Sequence, residues 1–472
     1  MLPKGALSVA ILASAASLPS VVEGWTFKGR PLSKCSRQHG QYHTNCNLLA
    51  VSKTHDSATW VMSSSDPSVS TNEIDLFNSW LSKNGVKVDS QRVQVQRSPL
   101  GGGRGLVATQ DIEKGSTAVQ IPQSLGLSPS GAKNSGVATY LKEFEGWTGD
   151  TGLIALQLLW ERSLGDRSKM QPWINVLPAP GELDIPLFWD EDALALADAS
   201  STRGISGFGE DVDEDYAWLQ VNAFGPNPDV FPAGDFTPEL FRWAVGVALS
   251  RSFFIDGELR MVPLVDFANH SPRSRREPEG ASMGLFGGRS VVLSAERDYQ
   301  KGEEFFISYG PKGAAGYLEE NGFVPPISGS EVISELEFSI PEDDQFFADK
   351  EDILSSNGLG TSMTFEASMV GLPDQEMVQF LRLRQLGVMD AFLLEGVFRG
   401  EVWGFMALPV SKANEESVNE LIMDRCRSEL SRFKGTAEED EAIIEGGSMA
   451  ELGSVEVLCA RVRRGERLAL QV

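Results

Sequence analysis

Past residue 60 the chain contains a single histidine, His270, and two cysteines, Cys426 and Cys459; His39, His43, His55, Cys35 and Cys46 all fall before that point. The body therefore has no C-x-x-C, no H-E-x-x-H and no Cys/His cluster. That excludes a structural or catalytic zinc site and a disulfide framework. The body must be held by its own core, in a compartment that keeps thiols reduced. With 472 residues, 41% of them hydrophobic and 23% charged, it has enough apolar side chain for this. The formal net charge of -25 sets a second limit. Nucleic acid and anionic membrane surfaces would both be repelled, so neither is expected as a partner.

Residues 1–70 differ in kind from the rest. Lys4 precedes an apolar run from Ala6 to Leu18, too short to span a bilayer and suited to a signal-peptide core. Candidate cleavage points follow Ala16 and Gly24. From Trp25 to His55 no acidic residue occurs, while Lys28, Arg30, Lys34, Arg37 and Lys53 are spread among Ser, Thr, Gln and Asn. A signal core followed by such a stretch resembles the two-part leaders of plastids reached through the endoplasmic reticulum. Plastid import is the expectation; plain secretion and a cytoplasmic location are the alternatives.

Three textures follow. Glu73 to Lys83 spaces Ile74, Phe77, Trp80 and Leu81 as an amphipathic helix. Residues 86–121 are rich in glycine and β-branched residues and read as short strands joined by glycine turns. Helical sequence is firmest at Thr151–Ser163 and Thr237–Phe254, where Thr237 suits a cap and Pro238 the first turn. The Pro- and Asp-rich stretch 178–235 reads as loops and short helices. Strand character returns at 260–267, 290–294 and 304–309. Beyond Pro325-Pro326, a strand at 334–340 and helices at 346–356, 375–386, 391–398 and 415–433 are expected, with a domain boundary near 326.

Four clusters bear chemistry. Gly101-Gly102-Gly103-Arg104-Gly105 allows close backbone approach to a ligand, although a flexible hairpin is the commoner meaning of such a run. It is no dinucleotide fingerprint, because strand-like sequence follows where a helix should open. Ser250-Arg251 closes an apolar helix, where an arginine can simply complement the helix dipole. Asp266, Asn269 and His270 stand together after an apolar strand. Tyr309 ends the β-rich run Glu304 to Tyr309. Each alone has a structural explanation.

In order, GRGLVATQDIEKG, SRSFF, VPLVDFANHS, GEEFFISYG and Gly322-Phe323-Val324-Pro325 resemble the SET-domain protein methyltransferases. The subgroup is that of the Rubisco large-subunit lysine methyltransferases, in which a helical insertion splits the SET core. Asp344-Gln345-Phe346-Phe347, Ser356-Asn357-Gly358 and Met389 to Glu395, with Phe398 and Trp403-Gly404, resemble that group's C-terminal substrate-binding domain. The resemblance implies an α+β chain: a leader over 1–70, a knotted, β-rich SET fold over 71–326 with a helical insertion at about 131–255, and a mainly α-helical domain over 327–472. Its cofactor would be S-adenosyl-L-methionine, with no metal, and a monomer is expected.

The resemblance also implies roles. Gly102, Gly103 and Arg104 would line the cofactor through their backbones. Arg251 would pair with its carboxylate, Asn269 and His270 would fix its amino and adenine ends, with Asp266 in the same segment, and Phe323 would pack near the adenine or the lysine channel. Tyr309 would be the catalytic residue beside the sulfonium methyl, and Ser250, Arg251, Asp266 and Tyr309 would also face the substrate. The implied activity is protein-lysine N-methylation of a folded plastid protein such as the Rubisco large subunit or fructose-bisphosphate aldolase. Where relatives often carry Tyr-Gly-Phe this chain has Asn321-Gly322-Phe323, and Ile255 stands where they place a second arginine. A missing channel tyrosine keeps protein-histidine N-methylation as an alternative, and a SET-fold binding module without catalysis as another.

Overall fold

The computed structural model describes residues 26–27, 30–31, 69–86, 92–99, 103–140, 144–146, 148–197, 205–282, 288–310, 312–325, 333–368, 374–394, 400–446 and 454–471. The apolar run of the leader, both cleavage points, Gly102, Glu395 and Phe398 lie outside the described residues.

Ser70 caps the first helix, α1 (Thr71–Lys83), by a reciprocal pair: its hydroxyl accepts from the Glu73 N–H and the Glu73 carboxylate accepts from the Ser70 N–H. Phe77, Trp80 and Leu81, on one face, are buried. The strands that follow are short: β1 (Val93–Arg97), β2 (Arg104–Ala108), β3 (Thr117–Pro122), β4 (Ser252–Ile255), β5 (Glu258–Met261), β6 (Glu279–Ser282), β7 (Arg289–Ser294) and β8 (Glu304–Phe305). They form three small sheets, ordered β8-β2-β1, β3-β7-β6 and β4-β5, with every pairing antiparallel.

Between β3 and β4 lies the helical insertion, whose longest elements are α2 (Asp150–Ser163), α3 (Ile205–Leu219) and α4 (Pro238–Arg251). Buried residues on most faces of α2 and α4 place them in the core, together with Trp173, Phe241, Leu264 and Val291. Three expectations are corrected here. The helix beginning at Pro238 ends at Arg251 and not at Phe254, because Ser252–Ile255 pairs with Glu258–Met261 across an Asp256-Gly257 turn. Both turn residues have positive φ, 55° and 80°, as a two-residue hairpin with right-handed twist requires. The stretch 178–235 holds a helix of 15 residues, α3, stabilised by packing that its acidic composition hides. The expected strand at 260–267 likewise stops at Met261 and becomes a short 3-10 turn, Val265–Phe267.

α5 (Ala314–Asn321) ends this half, with Gly322 left-handed at φ 73°. Beyond it, β9 (Ile333–Ser339) pairs with β10 (Ser362–Ser368) in the register Leu336↔Phe365. With this strand pair go α6 (Phe347–Ser356), which lies between the two strands in sequence, α7 (Gln375–Arg384), α8 (Lys412–Arg432), α9 (Ala437–Gly446) and α10 (Val455–Gln471), and a second core of Leu336, Phe338, Phe365, Phe380 and Leu383. The helix expected at 391–398 is, among described residues, a 3-10 turn at Ala391–Leu394. α10 carries Leu458, Cys459 and Val462 against Ala314 and Leu318 of α5, so the last helix rests on the first half. Its Arg463 and Arg467 both pair with the buried Asp440 of α9.

Candidate active site

Two segments lie side by side at the centre of the β-rich half. The Ile307 N–H donates to the Asn269 carbonyl and the Ser271 N–H to the Ile307 carbonyl, both at 3.0 Å, so 269–271 runs parallel to 305–309. The first segment is set by an unusual turn: Leu264 is fully buried with φ 71° and ψ −47°, a sparsely populated conformation for a branched residue. Its burial holds it there and aims Asp266, Phe267, Asn269 and His270 into the interior.

Two guanidinium groups converge on Phe267. Arg104, first residue of β2, and Arg251, last residue of α4, place their central carbons 5.4 Å and 5.3 Å from its ring centroid. Arg104 donates to the Val176 carbonyl at 2.6 Å, and Arg251 to the Asp266 carbonyl at 2.7 Å. Burial, and then the neighbouring Arg251, lower Arg104 to about 10. The Asp266 carboxyl accepts from the Trp173 indole N–H at 3.1 Å, and burial raises it to about 7 against the pull of Arg251.

Aromatic rings form the adjoining wall. His270 lies 5.3 Å from Tyr309, 4.8 Å from Tyr317 and 5.8 Å from Phe323, centroid to centroid, and Phe253 meets Tyr309 edge-on at 5.8 Å. The Tyr309 hydroxyl donates to the Ala268 carbonyl and the Tyr317 hydroxyl to the Gly310 carbonyl, each at 2.9 Å. Burial raises the Tyr309 phenol well above its ordinary value. Burial, and secondarily Lys312, lower His270 to about 4, so the ring is neutral.

A buried polar network joins the two walls. Asn269 Nδ2 donates to the Arg104 carbonyl at 3.0 Å and to Glu304 Oε1 at 2.7 Å, while the Ser98 hydroxyl donates to Glu304 Oε2. Gly103, at φ 105°, closes the hairpin by accepting from the Ser98 N–H. Gly105 has no space for a side chain: a Cβ there would stand 2.2 Å from Glu304 Oε1.

Gly103, Arg104, Arg251, Asp266, Asn269, His270, Tyr309 and Phe323 are thus brought together, while Gly102 lies outside the described residues. Ser250 is placed otherwise. Its hydroxyl donates back to the Gly246 carbonyl one turn earlier in α4, and the residue is buried there. Asn321 also faces inward, donating to the Ser250 carbonyl at 3.2 Å and accepting from Lys312 at 3.3 Å. Tyr317, Trp173, Glu304 and Ser98 were not singled out from sequence. Tyr317 had a readable signal, one helical turn before Asn321 on the same face of α5; Trp173 and Ser98 had none.

A SET-domain model matches residues 103–310, and a Rubisco LSMT substrate-binding model matches residues 341–470. The chain is 32% identical over 410 residues to the chloroplastic ribulose-1,5 bisphosphate carboxylase/oxygenase large subunit N-methyltransferase of Nicotiana tabacum, covering 84% of this chain and 80% of that one. It is also 32% identical to the chloroplastic [fructose-bisphosphate aldolase]-lysine N-methyltransferase of Arabidopsis thaliana, covering 84% of this chain and 81% of the relative. The actin-histidine N-methyltransferase of Homo sapiens is 26% identical, with 83% of this chain and 66% of that one covered. A solved structure of the SET domain of LSMT bound to lysine and AdoHcy superposes with a TM-score of 0.73 at 29% identity, covering 86% of this chain and 90% of that one. With the SET domain, the trailing substrate-binding domain and most of the chain's length matched, the chain belongs to the Rubisco large-subunit methyltransferase family of SET-domain proteins.

Proposed function

We propose that this chain is an S-adenosylmethionine-dependent protein-lysine N-methyltransferase, acting on a folded plastid protein of the kind its relatives modify, the Rubisco large subunit or fructose-bisphosphate aldolase. The SET unit spans 71–326 and the substrate-binding unit 327–472, after a plastid leader over 1–70. The observation that carries the reading is the convergence of Arg104, Arg251, Asn269, His270 and Tyr309 around one interior region.

The donor set fits the cofactor. Arg251 Nε, Asp266 Oδ1 and His270 Nε2 are buried polar atoms with no hydrogen-bond partner among the described residues. A guanidinium N–H suits a carboxylate, a carboxyl oxygen suits an amino group, and an imidazole N–H suits an acceptor on the adenine side. Asn269 and the backbone at Gly103 and Arg104 complete the cradle. When bound, S-adenosylmethionine supplies an electrophilic methyl group.

The acceptor amine must arrive neutral. A free lysine has a pKa of ~10.4, so deprotonation near pH 8 costs about 3 kcal/mol. The walls of Phe253, Tyr309, Tyr317 and Phe323 exclude water and disfavour the ammonium form, which lowers that cost. Tyr309 keeps its own proton at neutral pH, bonded to the Ala268 carbonyl, so it orients the amine through its oxygen lone pairs and does not act as a base.

Isothermal titration with S-adenosylmethionine tests the reading. Wild type should bind, and Arg251→Ala should bind about 10- to 100-fold more weakly, the range for losing a charge-assisted pair. No binding by wild type would favour a module without catalysis. Labelled cofactor with stromal extract, followed by mass spectrometry, should place the methyl group on lysine; label on histidine would overturn the acceptor assignment.

A further inference from the structure

We propose that Glu304 is a positioning residue for the cofactor cradle, a side chain that fixes the glycine hairpin and Asn269 relative to each other. The proposal rests on the cofactor reading above. Glu304 sits in β8, opposite Val107 of β2, and is buried. Each of its oxygens is committed: Oε1 to the Asn269 amide at 2.7 Å, Oε2 to the Ser98 hydroxyl.

Ser98 and Asn269 belong to different walls of the site. Ser98 closes the hairpin, because its N–H donates to the Gly103 carbonyl at 2.9 Å. Asn269 reaches the same hairpin from the crossing segment, donating to the Arg104 carbonyl at 3.0 Å. The carboxylate therefore holds both the entry to the glycine loop and the amide that spans to its exit. The missing Cβ of Gly105 is what lets Oε1 reach that position. Among the described residues no cation pairs with this buried acid: burial raises its pKa, and only the hydrogen bonds with Ser98 and Asn269 oppose that shift. Such an arrangement has little stabilising value in itself, since a buried acid without a counter-charge costs desolvation. Its return is geometric: it fixes where the Arg104 carbonyl and the Asn269 side chain stand.

Three variants test this, each read by S-adenosylmethionine titration and by steady-state kinetics with a lysine acceptor. Glu304→Ala should weaken cofactor binding at least tenfold while kcat at saturating cofactor and KM for the acceptor change by less than threefold. Glu304→Gln should restore affinity to within about threefold of wild type. Its oxygen can still accept from Asn269, and its amide can donate to Ser98 Oγ, a hydroxyl that both donates and accepts. Ser98→Ala should weaken binding severalfold, and it keeps the question answerable if Glu304→Ala does not fold. Unchanged cofactor affinity in folded Glu304→Ala, or in Ser98→Ala, would overturn the proposal. Failure of wild type to bind would instead overturn the cofactor reading.

Discussion

The backbone N–H of Tyr309 donates to Nδ1 of His270 at 3.2 Å, with the two ring centroids 5.3 Å apart. This contact fixes the imidazole: Nδ1 is the acceptor, so in the neutral ring the proton lies on the buried Nε2. Protonating Nδ1 would set one N–H against another. Burial adds to the cost, and the ring stays neutral down to about pH 4.

His270 should therefore make stability depend on pH. Its folded value lies below that of the unfolded chain, so its contribution is complete above about pH 6.5 and is lost as pH falls toward 4. Thermal melts of wild type and His270→Gln at pH 7 and pH 5 check this. Wild type should lose more Tm between the two than the variant does.

Asp266 should act in the opposite sense. Burial raises its folded value to about 7, so its contribution is complete below about pH 3.9 and is lost as pH rises through 7. Asp266→Asn keeps an acceptor for Trp173 and removes the ionisation. The Tm of this variant minus that of wild type should grow from pH 5 to pH 8.

Tyr309→Phe removes the bond to the Ala268 carbonyl and the oxygen proposed to orient the acceptor amine. The cofactor dissociation constant should stay within about twofold, because no cofactor-binding role falls on the hydroxyl. Turnover should drop by roughly two orders of magnitude or more, as for loss of an oriented catalytic group. Unchanged turnover would remove Tyr309 from the chemistry.

Gly105→Ala would bring a methyl group to 2.2 Å from Glu304 Oε1 and 2.8 Å from Asn269 Nδ2. Overpacking of this sort costs about 1–3 kcal/mol. Denaturant melts should show that loss, together with weaker S-adenosylmethionine binding.

Asn321→Tyr would not recreate a channel phenol. Asn321 is buried and holds the Ser250 carbonyl, next to Arg251. The larger ring should destabilise the fold by at least about 1 kcal/mol through overpacking and the orphaned carbonyl, lowering Tm. Equal or raised Tm would mean that the pocket has room for it.

What sequence determined here was chemical inventory and order. One histidine and two cysteines in the body leave no Cys/His set for a zinc site and no disulfide framework, and five short motifs in succession identified the family, because glycine turns, a terminal arginine and an Asn-His pair carry meaning at fixed spacing. The helices expected at 73–83 and 151–163 are Thr71–Lys83 and Asp150–Ser163; the apolar spacing of Ile74, Phe77, Trp80 and Leu81 made the first legible. What only the tertiary structure decided was which polar groups face one another. Glu304 reads as one more acid in Gly-Glu-Glu until burial places it between Ser98 and Asn269. Tyr317, and not residue 321, supplies the second phenol beside His270, because α5 packs with that face inward. The last helix, dense in arginine, is held by the pairing of Arg463 and Arg467 with Asp440 and by packing on α5 and on the second core. Local pattern fixes an element's propensity, but pairings across more than 160 residues, such as Asn269 with Arg104, exist only once the chain has crossed itself.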